Sequence, residues 1–315
     1  MLLDISIQIC HNKNAMKAVE GKDYTFQDND TGDVKIRTVT ILTDTGKDAF
    51  NLAIGEHTSI GRGDFDFDNN NQIIVTSAIE QKLCQWIKQS GAPLKKLLTV
   101  GIGNGAFLTD STGPKVCSNL EQMKSKVKTY KPSVYGLTGI ITADAVVRMT
   151  QRINQSHTVL IDSGRAPISR MLNSVYMTSA EGIAPGAANI KGNMEYVKEL
   201  ESIVEDYTTG WFSEKAMQSL LSQLGLKGVD DLRTYMENTR NSSKMIDSQL
   251  LQTPAISIGV FTSFYDRLNP DSSNFFIDEY DLVWPKNPAL TSNAISFYTQ
   301  AIATAIDNTD RQLRD

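Results

Sequence analysis

The stretch "HTVLIDSG", from His157 to Gly164, carries the pattern that decides the fold. Its apolar residues are followed at once by the carboxylate of Asp162 and then by two small residues. A short apolar run of this kind is typical of a strand buried on both faces of a parallel sheet. Because ligands in open α/β sheets bind outside the carboxyl ends of the strands, Asp162 is predicted to lie at a strand exit where chemistry takes place.

Strand-like and helix-like patterns alternate along much of the chain. The run "KLLTVGIGN" (residues 96–104) predicts a second buried strand, and a helix with Pro114 in its first turn follows it. Another helix is predicted from Thr142, and further strands at residues 174–178 and 254–264. Alternation of this kind favours a three-layer α/β/α fold with a mainly parallel or mixed sheet.

The first third of the chain is predicted to be β-structure that forms an antiparallel edge or a small flap. Its strand candidates are residues 3–9, 34–42 and 50–54. Residues 61–72, "GRGDFDFDNNNQ", are predicted to form a loop. The alternating aspartates of this loop resemble a calcium loop, but Asn69 and Val75 stand where the glycine and the glutamate are required, so calcium binding is not favoured.

Residues 193–250 carry helical patterns without the strand patterns seen on either side of them. We interpret this segment as an all-helical insertion within a single domain spanning residues 1–315. Glycine turns separate three amphipathic helical patterns there. Exposure of Trp211 and Phe212, between two of these helices, would favour a protein-binding role for the insertion. A last amphipathic helix, capped near Thr291, is predicted to pack on the sheet.

Composition and charge exclude several classes of function. No apolar run approaches the length of a membrane span, and the net charge of −5 argues against direct nucleic-acid binding. The basic run at residues 123–131 is interpreted as a solvated helix end. Cys10, Cys84 and Cys117 form no metal or disulfide pattern, which favours a reducing cytoplasm and no metal. The run "GIGNG" lacks the third glycine of a dinucleotide fingerprint, at Ala106, so no cofactor is expected.

Asp110 and Asp162 are the candidate catalytic pair. Each is predicted to stand at the carboxyl edge of a strand, and two close carboxylates cannot both ionise cheaply. One would therefore keep a proton, which supplies an acid and a base for hydrolysis. The alternatives are that Asp110 caps the following helix and that Asp162 holds a turn. A nucleophilic triad is not favoured, since no GxSxG motif is present.

Several segments, in the same order along the chain, resemble the germination proteases of spore-forming bacteria. They are "VKIRTVTI" (34–41), "VGIGNGAFLTDSTGPKVCSNL" (100–120), "YGLTGIITAD" (135–144), "VLIDSGRAPISRMLNSVYMTSAEGIAPGAANIKG" (159–192) and "TPAISIGVFT" (253–262). The resemblance implies a phosphorylase/hydrolase-like fold and an endopeptidase that works without metal or nucleotide. It places the family's two catalytic aspartates on Asp110 and Asp162.

The resemblance also implies partners and further site residues. Family members self-associate, commonly as tetramers, and cleave small flexible proteins, so a protein or peptide substrate is expected, with no direct nucleic acid and no membrane. Asn104, Ser163, Gly182 and Gly186 are the candidate substrate-binding residues. The helical insertion is absent from the family's usual pattern. Two alternatives therefore stay open: a non-catalytic relative that uses the insertion to bind a partner, and a different hydrolase of the same broad fold.

Overall fold

The computed structural model describes residues 18–50, 52–61, 66–93, 95–166, 174–185, 190–242, 244–264, 275–277, 283–285 and 288–314. Its strands are β1 (Tyr24–Thr31), β2 (Val34–Ile41), β3 (Gly55–Ile60), β4 (Leu97–Gly101), β5 (Lys128–Tyr130), β6 (His157–Ala166), β7 (Val175–Thr178), β8 (Ala255–Phe264), β9 (Phe275–Ile277) and β10 (Val283–Pro285). Its helices are α1 (Asp44–Phe50), α2 (Asn69–Gln89), α3 (Thr112–Gln122), α4 (Tyr135–Thr138), α5 (Thr142–Ile153), α6 (Ile190–Thr208), α7 (Glu214–Gln223), α8 (Val229–Asn241), α9 (Ser248–Leu251) and α10 (Pro288–Arg314).

A single mixed sheet organises these elements. Its main path runs β1-β2-β3-β7-β8-β6-β4-β5, and β10 joins β8 and β9 beside that path. Strands β5, β4, β6 and β8 are parallel, whereas β1, β2, β3 and β7 pair antiparallel. The prediction of a mixed sheet with an antiparallel edge is therefore confirmed.

Helices cover both faces of the parallel half of the sheet, as the three-layer prediction requires. Alternate residues of each strand point to opposite faces, so the side chains of one strand belong to two hydrophobic cores. On one face Leu97 and Val159 pack with α2, α3 and α10. On the other face Leu98 and Leu160 pack with α5 and α9. The C-terminal helix begins at Pro288, three residues before the predicted cap, and it packs against α2, α3 and β8.

The helices α6, α7 and α8 pack on one another around their own core of apolar residues. Its buried members are Val197, Leu200, Val204, Met217, Leu221, Leu232 and Met236. The helices predicted within residues 193–250 are present, although α6 already begins at Ile190. That the segment is an insertion in a single domain stays a prediction.

Two local predictions near the start of the chain are wrong. Phe50 ends α1, where its ring packs on Tyr24 at 4.7 Å between centroids, and the strand placed at residues 50–54 begins instead at Gly55. Residues 69–72 belong to α2, because the Asp68 carboxylate caps that helix by accepting the Asn71 N–H at 2.8 Å. This role accounts for one aspartate of the calcium-like pattern without a metal.

The basic run at residues 123–131 also differs from its interpretation as a helix end. Helix α3 stops at Gln122, and Lys124 adopts a positive φ of 54° that turns the chain. Val127 is then buried in the core, and the next three residues pair in parallel with β4 as the edge strand β5. Burial of one apolar residue therefore overrides the helical pattern of the charges around it. The strand predicted at residues 3–9 lies outside the described residues, as do Cys10, Asp64 and Gly186.

Candidate active site

Asp162 lies at a step in the carboxyl edge of the sheet. Strand β6 does not end there as predicted; it continues to Ala166 because β8 still pairs with it. Its other neighbour, β4, stops pairing at Gly101, opposite Ile161. Asp162 is therefore the first residue of β6 beyond the end of β4, and its main chain stays fixed by β8. Because β4 ends before β6, Asp162 lies at the carboxyl edge of the sheet although it is inside a strand.

Asp110 lies in the connection between β4 and α3, as predicted. It ends a single 3₁₀ turn, Leu108–Asp110, and its carboxylate accepts the Asn104 N–H at 2.7 Å. No side chain caps α3, whose first flanking residue is Ser111. The alternative that Asp110 is the helix cap is therefore wrong. Its carboxylate instead holds together the two ends of the loop from Asn104 to Asp110.

Two glycines let α3 begin against the backbone of the sheet, which brings the Asp110 loop to the edge. A Cβ on Gly113 would lie 2.5 Å from the nitrogen of Ile102 and 2.6 Å from the oxygen of Ile161. A Cβ on Gly101 would in turn meet the backbone of Gly113. Only residues without a side chain allow this approach. The Ser163 hydroxyl reinforces it by donating to the Thr112 hydroxyl oxygen at 2.9 Å.

The two carboxyl groups interact electrostatically. Desolvation raises the pKa of Asp162 well above its ordinary value, and the charge of Asp110 raises it further, whereas the Ser163 N–H, at 2.7 Å from the carboxylate, opposes the shift. Burial also raises the pKa of Asp110, against the Asn104 N–H. Desolvation therefore raises the pKa of both carboxyl groups, and each accepts one backbone N–H.

The predicted substrate-binding residues have different surroundings. Asn104 is buried, and its side-chain oxygen accepts the Ala106 N–H at 3.0 Å, so it shapes the loop that carries Asp110. Ser163 lies next to Asp162. Gly182 packs on the backbone of Ile246, and the N–H of Ile183 donates to the Ile246 oxygen at 2.9 Å, so that N–H is not available to a substrate.

Other chemistries find less support among the described residues. No group of three or more His, Cys, Asp or Glu side chains there is placed to hold a metal ion. Burial raises the pKa of the Cys117 thiol to about 12, which disfavours a thiolate nucleophile. His157 starts β6, at the end of the strand opposite Asp162, and bonds Ser90. In the part of the chain that the structure covers, no helix has both the length and the apolarity that crossing a bilayer demands.

The residues beside Asp162 on the sheet surface were not predicted from the sequence. Gly259 of β8 pairs with Asp162 on one side and with Tyr176 of β7 on the other. The signal was present in "PAISIGVFTSF", because a glycine inside a strand pattern often marks a close approach by backbone or ligand. The register that places this glycine next to Asp162 was not readable from the sequence.

Comparison with known proteins gives a consistent result. The family model described as germination protease matches residues 6–202. The germination protease of Clostridium tetani is 26% identical over 206 residues, which are 60% of this chain and 61% of that protein. The germination protease of Caldanaerobacter subterraneus is 28% identical over 173 residues, 49% and 52% of the two chains. That of Bacillus subtilis is 24% identical over 192 residues, 56% and 52%.

These matches span about half to three fifths of the length of the curated relatives. The family model, in contrast, covers more than half of this chain, including both aspartates, the glycines of the α3 junction and strands β1 to β7. By this match the chain belongs to the germination protease family.

Proposed function

We propose that this protein is an endopeptidase of the germination-protease type, which hydrolyses peptide bonds in small flexible proteins. The observation that carries the proposal is the pair of carboxyl groups at the sheet edge, where the charge of Asp110 raises the pKa of Asp162. A structural role needs neither the desolvation nor the like-charge neighbour, which both cost stability. Membership in the family supports the same assignment.

The proposed mechanism uses the pair as one unit that holds one proton. The ionised carboxylate takes a proton from a water molecule as the water oxygen attacks the scissile carbonyl carbon. The protonated carboxyl donates a hydrogen bond to the carbonyl oxygen, where negative charge develops. When the C–N bond breaks, the pair passes one of its two protons to the leaving amine and keeps the other, which restores its starting state. The raised pKa of Asp162 favours it as the protonated member, and Asp110, held by the Asn104 N–H, as the base.

The experiment is a cleavage assay of the purified protein against a mixture of small unfolded proteins, read by mass spectrometry. Asp110→Asn and Asp162→Asn are compared with Asp48→Asn, a matched control that removes an exposed carboxylate on α1. We expect the parent and the control to cut alike and each site variant to lose at least about 100-fold in kcat/KM. The proposal is rejected when the parent cuts nothing or when a folded site variant cuts as fast as the control.

One observation favours a second candidate, a non-catalytic relative that binds a partner through the helical segment. Trp211, in the turn between α6 and α7, is 87% exposed, whereas its neighbour Phe212 packs on the core of the three helices. An exposed tryptophan at a turn is a common anchor for a protein partner. In that case the parent shows no cleavage, and Trp211→Ser abolishes partner binding. Self-association and a cytoplasmic setting remain separate proposals.

A further inference from the structure

Positive charge is concentrated in one part of the chain. Residues 88–160 carry ten Lys or Arg and three Asp or Glu, a net charge of +7 in a chain whose net charge is −5. Seven of these ten cations, all exposed, make up what we call the basic edge: Lys95, Lys96, Lys124, Lys126, Lys128, Arg148 and Arg152. The net charge of the whole chain, which argued against nucleic-acid binding, therefore does not describe this surface.

The cations of the basic edge come together where the parallel strands begin. Lys95 and Lys96 precede β4, and Lys128 is the first residue of β5, where it pairs with Leu98 of β4. Helix α5 runs back toward the same end of the strands. The Lys96 ammonium donates to the carbonyl oxygen of Ile153, the last residue of α5, at 3.4 Å. The start of β4, the start of β5 and the end of α5 are therefore neighbours.

The basic edge extends from the edge strand onto the helix. Leu98, the partner of Lys128, packs in the core beneath α5, and directly paired residues point to the same face of a sheet. Arg148 and Arg152 lie one turn apart on the exposed side of α5. Together with Gln151 they line a surface depression of about 520 Å³. Lysines of the strand and arginines of the helix thus lie on the same face of the sheet.

The charges of the basic edge are not balanced by carboxylates. No ion pair within the described residues includes any of its seven cations. Glu121 is engaged by Lys131 at 2.8 Å, and Asp144 lies in the first turn of α5, at the opposite end from Arg152. Lysines on an edge strand can serve to deter pairing with another sheet. That role does not account for Arg148, one turn before Arg152, since like charges at this spacing destabilise a helix.

The chemistry of this surface favours a phosphate backbone over a protein partner. Protein interfaces contain an apolar core. None of the exposed large hydrophobic residues of the described chain lies on α5, on β5 or just before β4. A nucleic-acid duplex, in contrast, presents one negative charge for about every 1.7 Å of its axis, and Lys and Arg bind it without apolar contacts.

We propose that the basic edge binds the phosphate backbone of double-stranded nucleic acid, without reading its base sequence. Asp110 and Asp162 lie at the opposite, carboxyl ends of the strands, so a duplex bound at the basic edge does not occupy the candidate active site. The proposal is independent of the peptidase function, because it requires no cleavage.

The test measures the anisotropy of a fluorescent DNA duplex of about 25 base pairs as the purified full-length protein is added, in salt from about 50 to about 200 mM. Engagement of about four phosphates predicts that the affinity of the parent falls about 100-fold over this range. Lys126→Gln/Lys128→Gln changes the edge strand and the residues before it, and Arg148→Gln/Arg152→Gln changes α5. We expect each double variant to bind at least fivefold more weakly and to reduce the slope of log K against log salt by up to about two.

The matched control is Lys215→Gln/Lys227→Gln, which removes the same charge from two exposed lysines of the helical segment. We expect this control to bind like the parent. The proposal is overturned when the parent does not bind at about 50 mM salt, or when the control weakens binding as much as the variants of the basic edge. Displacement of the duplex by polyglutamate at an equal concentration of charge would also overturn it, because carboxylates would then serve as well as phosphates. Circular dichroism checks folding, and since the two edge variants lie on different elements, either one decides alone if the other does not fold.

Discussion

Substitution of Gly113 by alanine tests how the fold brings the two aspartates together. The new Cβ would lie 2.5 Å from Ile102 N and 2.6 Å from Ile161 O. Ordinary contacts begin at 3.4 Å, so the start of α3 must move away from the sheet by roughly 0.9 Å. Overpacking of this kind costs about 1–3 kcal/mol. Alanine recovers up to about 1 kcal/mol of helix propensity, so we expect a net loss of about 1–2 kcal/mol.

The same displacement should reach the chemistry, because only Ser111 separates Asp110 from α3 and Asp162 follows Ile161. A misplacement of about 1 Å between catalytic groups can cost roughly 100-fold in rate. Thermal unfolding measures the stability, and the cleavage assay measures the rate. Gly105→Ala is the matched control: its Cβ would meet Pro114 at an ordinary 3.6 Å. If Gly113→Ala unfolds at the same temperature as this control and cuts as fast, the close approach of α3 is not what positions the pair.

Three further expectations concern stability. Burial lowers the pKa of His57, so on acidification the unfolded chain takes up a proton near pH ~6.5, before the folded chain does. Tm should therefore fall below that pH. An unchanged slope of Tm against pH in His57→Gln would contradict this expectation. The pKa of Asp162 is raised, so protonation of this group favours the folded state. Asp162→Asn should therefore be more stable than the parent at neutral pH, and this gain in stability should shrink toward pH ~4. A variant that is less stable than the parent at neutral pH would contradict a desolvated charge. Asp68→Ala should lower the free energy of unfolding by about 1 kcal/mol because it removes the cap of α2, and calcium should leave the Tm of the parent unchanged. A rise in Tm with calcium would instead indicate a calcium site.

The sequence predicted the parts of the fold that depend on local pattern. The strands β4, β6 and β8 each contain a mainly apolar run, and the helices after β4 and before β6 carry strong periodicity, so their assignment needed no tertiary information. The failures occurred where a distant contact decides the conformation. The edge strand β5 depends on burial of Val127. Likewise, β6 extends past Asp162 because β8 continues to pair with it.

The candidate site shows the same division. Asp110 and Asp162 could be selected from the sequence because each follows a strand pattern at the catalytic edge of an α/β sheet. Whether they lie close enough for the charge of Asp110 to raise the pKa of Asp162 could not be predicted, since it depends on how closely Gly101 and Gly113 let α3 approach the strands. The stacking of Tyr176 on Phe261 could not be predicted either, because it arises from the register of β7 against β8.

The most direct test of the account is a titration of the two carboxyl groups themselves. Carbon-13 NMR of aspartate-labelled protein follows each side chain across the acidic and neutral range, with Asp110→Asn and Asp162→Asn to assign the signals. We expect Asp162 to titrate well above the ordinary aspartate value, and Asp110→Asn to lower its pKa because the neighbouring charge is gone. An Asp162 that titrates like an exposed aspartate, and does so equally with Asn at position 110, would contradict the shared proton and with it the proposed mechanism.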